Sequence, residues 1–270
     1  MDKLIFLGTG HALAYHCYTT CLALTDDHHV FMTDGGSGNG VLLQMERAGL
    51  TPDDITDLFI SHRHTDHLIG AIWLVRVIGH SFDRGTRTTP LTIYGEASVL
   101  AILRQCCELL VSSSVAAHFD KDILLRPVSD GENCTIGPWS VTFFDTGAEK
   151  TVQYGWRARL TDGESLVFLG DEPLSESGLR YAKDCDHLIH EAMCLQSEEE
   201  KYHPHRIHHS TVADAAKNAA SAGAKHLILF HGEDTDLDTR KQRYETEARA
   251  HFSGPVDAPD DLDVIAFHEA

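Results

Sequence analysis

One seven-residue run, Ser61-His62-Arg63-His64-Thr65-Asp66-His67, limits what this chain can fold into more than any other stretch. It sets four candidate metal ligands, His62, His64, Asp66 and His67, within six residues. The apolar Leu58-Phe59-Ile60 before it reads as a strand, and Leu68 to Ile78 after it, apolar nearly all round, reads as a helix buried against a sheet. The ligands therefore occupy a strand-to-helix loop, the place where α/β proteins put their chemistry. Neutral imidazoles and a carboxylate suit a borderline or hard divalent ion. His62 and His64 alternate along one side of an extended segment, whereas Asp66-His67 opens the helix, so the crowding suggests two ions rather than one.

A chain of 270 residues can bury one sizeable core, and the motif lies well inside it, so residues 1–270 read as a single domain. Lys plus Arg number 22 against 41 Asp plus Glu, a formal charge of −19 that repels polyanions unless a basic patch offsets it. No such patch is visible in the sequence, which argues against a nucleic-acid partner and for a small-molecule substrate. The chain runs from Met1-Asp2-Lys3 straight into a strand, without a leader or a long apolar run, so neither export nor membrane insertion is expected. Seven scattered cysteines, Cys17, Cys21, Cys106, Cys107, Cys134, Cys185 and Cys194, form no C-x-x-C pair and read as reduced thiols of a cytoplasmic protein.

In chain order, Lys3 to Leu7, Thr20 to Thr25 and His29 to Thr33 read as a β-meander. His11 and His16 fall in the loop after its first strand, within reach of a metal site. The glycine-rich 35–40 stretch lacks the lysine of a phosphate loop and reads as a turn into a helix from Val41 to Ala48. His80 to Pro90 reads as a polar loop, Leu91 to Tyr94 as a strand, and Glu96 to Val111 as a helix. Strands are expected at Ile123 to Val128 and Trp139 to Asp145, then a hairpin of Tyr154 to Leu160 and Ser165 to Leu169. A helix from Ser175 to Asp184 and a buried strand at His187 to Ile189 follow. Thr211-x-x-Asp214 matches a capping box, which starts a helix through Ala222 and fixes His209 just ahead of it. Lys225 to Phe230 and Leu262 to Phe267 read as strands, and Asp238 to His251 as an exposed helix. The histidine-rich tract around His203, His205 and His208 has the composition of a nickel- or zinc-binding segment, but function is assigned to His209 alone.

The H-x-H-x-D-H pattern of His62 to His67 resembles the signature of the metallo-β-lactamase superfamily of metal-dependent hydrolases. Leu4 to Gly10, Asp34-Gly35-Gly36, Gly170-Asp171, His190-Glu191-Ala192, His209-Ser210-Thr211 and His231 follow in the order of its ribonuclease Z branch. The resemblance implies the four-layer αββα sandwich, with two divalent ions, zinc first and manganese, iron or nickel as alternatives. It places His62, His64 and Asp171 on one ion, and Asp66, His67, Asp171 and His231 on the other, with Asp34 supporting a ligand imidazole from behind. It further implies a homodimer. Two departures stand out. Where the branch has a third histidine for the first ion this chain has Thr146, and Asp145 is the nearest residue able to replace it. The segment between Asp145 and Asp171 is a hairpin, too short for the glycine- and proline-rich arm with which short bacterial ribonucleases Z hold tRNA.

Two such ions would bring a bridging water's pKa to about 7, giving hydroxide near neutrality. His209, oriented by Glu191, would protonate the leaving oxygen, and Asp66 would serve at the metal centre as both ligand and catalytic group. A histidine-glutamate acid favours a poor alkoxide leaving group, so a phosphodiesterase acting on a small phosphodiester is the expectation. Three alternatives remain: a lactone or other ester hydrolase, a tRNA 3′ endonuclease of the ribonuclease Z kind, and a non-catalytic metal or ligand sensor.

Overall fold

Runs of mostly apolar residues are what a strand buried on both faces requires, and most strands of this chain, which fall in two sets, have them. A computed structural model describes residues 1–26 and 28–267. The first set is β1 (Lys3–Gly8), β2 (Cys21–Thr25), β3 (Val30–Thr33), β4 (Asp57–Ile60), β5 (Leu91–Gly95) and β6 (Ile123–Pro127). The second is β7 (Asn133–Ile136), β8 (Trp139–Asp145), β9 (Tyr154–Arg159), β10 (Ser165–Phe168), β11 (His187–Glu191), β12 (His226–Phe230) and β13 (Val256–Asp257), after which β14 (Val264–Ala266) joins β1 in the first. Each makes one mixed seven-stranded sheet, in the orders β14-β1-β2-β3-β4-β5-β6 and β13-β12-β11-β10-β9-β8-β7.

The chain divides into two compact units that follow the sheets. One comprises Met1–Gly8, Tyr18–Val128 and 262–267; the other comprises Thr9–Cys17 and Ser129–Asp261. In the first, helices α1 (Gly40–Arg47), α2 (Thr65–Arg84) and α3 (Ala97–Leu110), with the one-turn α4 (Ser113–Ala116), accompany the sheet. α2 buries Leu68, Ala71, Ile72, Val75 and Ile78, spaced three and four apart, against Leu58, Ile60 and Ile93 of the strands. Each of the larger side chains among them, the leucine, isoleucines and valine, contributes about 1.5–3 kcal/mol. The helix runs on to Arg84 where a loop from His80 was expected, because Ser81 is buried and Phe82 packs on the core, so the polar look of the segment belongs to its outer face alone.

α2 also lies unusually close to the turn after β3. A Cβ on Gly70 would fall 1.8 Å from the Gly35 carbonyl oxygen, and the backbones are tied by Gly35 N–H to His67 O and Gly70 N–H to Gly36 O, both 2.8 Å. Only glycine permits this approach, which fixes Asp34 against the first turn of α2.

In the second unit α5 (Glu176–Ala182), α6 (Glu199–Tyr202), α7 (Val212–Ala222) and α8 (Leu237–Arg249) accompany the sheet. Ala215, Ala216, Ala219 and Ala222 let α7 pack closely on Leu188, Leu227 and Leu229. β10, β11 and β12 run parallel, with Phe168 opposite Ile189 and Glu191 opposite Phe230. Their carboxyl ends therefore finish level, as the ligand-binding edge of an α/β sheet does. Strands β7 and β13 were not anticipated: β7 is a four-residue polar-apolar alternation and β13 only two residues long.

Candidate active site

In the first unit the site residues hang on one carboxylate. Asp34 sits in the left-handed region at φ 58°, a conformation costing a non-glycine residue about 1–3 kcal/mol unless its surroundings impose it. Its Oδ1 accepts the Ser61 N–H at 2.8 Å, and its Oδ2 accepts the Ser61 hydroxyl at 2.7 Å and faces His67 Nδ1 at 2.7 Å. Because Ser61 Oγ donates to Asp34, it accepts from His62 Nδ1 at 3.0 Å. This network assigns both Nδ1 protons and turns Nε2 of His62 and of His67 into lone-pair donors. His62 Nε2 then lies 2.9 Å from His64 Nδ1, and His67 Nε2 3.1 Å from Asp66 Oδ2.

In the second unit the site residues come from separate strand ends. Asp171 follows Gly170 at the end of β10, and Gln153 clamps it: Gln153 Nε2 donates to Asp171 Oδ1, and the Asp171 N–H donates to Gln153 Oε1 at 3.3 Å. Thr146 Oγ1 in turn donates to the Gln153 carbonyl at 3.0 Å. His231 follows β12 at φ 59°, with Nε2 3.5 Å from Asp171 Oδ2. Glu191 ends β11; its Oε1 accepts the Ser210 N–H at 2.6 Å and its Oε2 lies 3.5 Å from His209 Nδ1. The His209 ring is 5.1 Å from that of His231, and Glu191, His209 and His231 form one buried group. Burial alone would lower the His209 pKa, but the Glu191 carboxylate beside it and the charge of Asp171 outweigh burial and hold it above the ordinary imidazole value, against Lys150.

Adjacent ligand atoms on a tetrahedral ion with bonds of about 2.0–2.1 Å are roughly 3.4 Å apart. The spacings of 2.9, 3.1 and 3.5 Å within the two units match that edge, and all the atoms are imidazole nitrogen or carboxylate oxygen. The residues present therefore fit divalent ions of the zinc, manganese, iron or nickel kind.

Other expected residues are placed elsewhere. Asp145 is not brought into any group of potential ligands among the described residues; its Oδ1 accepts the Gly147 N–H at 2.8 Å, so it holds the turn after β8. His205 lies between Glu199 at 3.0 Å and Asp214 at 2.7 Å, and His208 lies 3.4 Å from Glu149, so these two histidines of the tract face surface carboxylates. His190 points opposite to its neighbour Glu191, as alternate strand residues must, and its ring nitrogens meet the Glu191 carbonyl and Asn218. His11 lies with its ring 6.4 Å from His231, its pKa pushed down to about 4 by burial and by His231 and His209. His16 instead gives its backbone N–H to Asp234. Sequence reasoning missed Gln153 and Lys150, which sit in no motif. Ser61 carried a signal, as the residue between the strand and the first ligand.

The family model for the β-lactamase superfamily domain matches residues 31–232, about three quarters of the chain. The chain belongs to this superfamily. Among curated relatives, the Ribonuclease Z of Methanothermobacter thermautotrophicus is 28% identical over 97% of this chain and 95% of its own length, and that of Myxococcus xanthus 27% identical over 94% of each. Among solved structures, the metallo-β-lactamase fold protein YhfI from Bacillus subtilis matches 98% of each chain with a TM-score of 0.78 at 20% identity, which shows the shared fold. This superfamily member is thus a ribonuclease Z-like, metal-dependent hydrolase acting on ester bonds, with the α/β architecture the motif implied. No helix among the described residues is long and apolar enough to cross a membrane.

One expectation is overturned. Net charge argued against nucleic acid as a partner, yet the relatives that align over nearly the whole of this superfamily chain are named for a ribonuclease. The sum of charges was a poor guide because phosphate is met by locally placed cations, bound metal included, and a whole-surface total does not report them.

Proposed function

We propose that this protein is a metal-dependent phosphodiesterase whose substrate is RNA, cleaved in the manner of the ribonucleases Z it resembles. Two divalent ions, zinc first, would be held by His62, His64, Asp66, His67, Asp171 and His231, the ligand set the superfamily implies. When bound, such ions polarise phosphoryl oxygens and render water nucleophilic near neutral pH. The observation that carries the reading is the buried Glu191–His209 pair beside His231. The Glu191 carboxylate facing Nδ1 keeps the His209 ring protonated to higher pH, so Nε2 can deliver a proton to a leaving oxygen. An alkoxide such as a ribose 3′-oxygen needs that proton, whereas a strained lactam does not. Gln153 keeps Asp171 from rotating, and Asp34 does the same for His67 and, through Ser61, for His62.

A second reading, hydrolysis of a small phosphodiester, is favoured by the tight β9–β10 hairpin that fills the segment between Asp145 and Asp171. The test is side-by-side turnover of a 3′-extended precursor tRNA, bis(p-nitrophenyl) phosphate and a γ-lactone by protein purified without chelator, with metal content measured in parallel. Precursor cleavage leaving a 3′-hydroxyl supports the first reading, and turnover of the small diester alone supports the second. Lactone turnover alone, or tight metal binding without turnover, would overturn both. Homodimeric assembly, carried over from the same family, is checked by light scattering on the same preparation.

A further inference from the structure

Between β8 and β9 the chain makes a turn, residues 146–153, whose central part the metal ligands do not involve. The turn is pinned from the segment after β10: the buried Glu172 carboxylate accepts the backbone N–H of Glu149 at 2.8 Å and of Lys150 at 3.2 Å. Held this way, half-buried Lys150 brings Nζ within 3.3 Å of His209 Nε2, the nitrogen that would face a leaving group. An ammonium carries three donors and no acceptor. Among the described residues Lys150 forms no ion pair, although Asp and Glu outnumber Lys and Arg by 41 to 22 in this chain. A backbone-anchored cation left without a carboxylate beside a candidate acid has the chemistry of an anion receptor.

We propose that Lys150 contacts a non-bridging phosphoryl oxygen of the substrate next to the scissile bond. This deepens the phosphodiesterase reading and rests on it for the identity of the anion. Lys150 binds charge while His209 handles the proton, so the two neighbouring nitrogens have separate duties. The turn that carries Lys150 thereby becomes a specificity element, selecting anionic diesters over neutral esters.

The test uses the metal-loaded full chain with Lys150→Ala and Lys150→Arg. Calorimetric titration with inorganic phosphate reads the contact without turnover, and steady-state kinetics on bis(p-nitrophenyl) phosphate reads it with turnover. Lys150→Ala should weaken phosphate binding and raise KM for the diester by roughly 10- to 100-fold, the scale of a charged hydrogen bond. Lys150→Arg should recover most of both, with metal content and melting temperature unchanged in each variant. Undiminished phosphate affinity in Lys150→Ala, no phosphate binding by the parent protein, or equal losses in Ala and Arg would overturn the assignment. If the parent protein hydrolyses no diester while Lys150→Ala still loses phosphate affinity, the phosphodiesterase reading fails and the anion contact stands.

Discussion

The two units hold their site residues by opposite strategies. In the first, four candidate ligands come from one seven-residue run, and a single carboxylate, Asp34, orients it through Ser61 and His67. In the second, Asp171, Glu191 and His231 come from the ends of three different strands, and the anchors are separate: Gln153 for Asp171, the Ser210 N–H for Glu191, and a capped helix behind His209. A keystone makes the first arrangement compact and fragile. Distributed anchors make the second tolerant, with losses that scale with each anchor.

The largest effect should follow from removing the keystone. Asp34→Ala leaves the Ser61 N–H and hydroxyl and the His67 Nδ1–H buried without their acceptor, each at a cost of about 1–3 kcal/mol. Metal content should collapse and the melting temperature fall by many degrees. Asp34→Asn, which keeps an acceptor but loses the charge, should lose about 10- to 100-fold in metal affinity. Elemental analysis and thermal melts of both variants check this, and a fully metallated, stable Asp34→Ala would mean that the run 61–67 orients itself.

Next comes the proton donor. His209→Ala should lower kcat by about 10²–10⁴-fold while metal content stays level. Glu191→Gln tests the electrostatics with a sign. Burial lowers the His209 pKa and Glu191 more than compensates, so activity needing the protonated ring persists up to a raised pKa and is lost as pH rises through it. Without the charge the alkaline limb of the kcat profile should move to lower pH. A limb that stays in place would remove Glu191 from the control of His209.

The same contrast explains what the sequence revealed. His62, His64, Asp66 and His67 are legible because a strand-to-helix loop fixes their mutual geometry locally, so spacing alone carries the chemistry. Asp171 and His231 carry no such local signal; their place depends on the parallel register of β10, β11 and β12, and only resemblance to a family singled them out. Gln153 and Lys150 lie in a turn whose shape is imposed by Glu172 and Thr146, residues distant in sequence or unremarkable in type, so nothing periodic marks them. Asp145 looked like a ligand because position along the chain is not direction of the side chain: its carboxylate turns back to the Gly147 N–H. Nearly every strand was legible from apolar runs, and the short β7 and β13 were not, because two to four residues hold too little pattern.

An intermediate effect should come from the Asp171 clamp. Gly170 has φ 80°, and a Cβ there would meet Gln153 Oε1 at 2.4 Å, so Gly170→Ala both strains the backbone and displaces the clamp. Gln153→Leu removes the clamp without the strain. Both should weaken metal binding about 10-fold, with Gly170→Ala also less stable to heat. Asp145→Ala should leave metal stoichiometry as it is, and a drop towards half would restore Asp145 to the ligand set.

The smallest effect should come from the most redundant anchor. Thr211 caps α7 by accepting the Asp214 N–H, while Asp214 accepts both the N–H and the hydroxyl of Thr211, at 3.0 and 2.6 Å. Thr211→Ala should cost about 1 kcal/mol, a fall of roughly 2–4 °C in Tm for a chain of this size. His209 is two residues upstream, yet its N–H still donates to the Pro204 carbonyl at 2.9 Å and Ser210 still donates to Glu191, so the ring keeps its place. The variant should therefore retain kcat within a few-fold. A loss approaching that of His209→Ala would show that the cap alone positions the acid, and the second unit would then rest on a keystone as the first does.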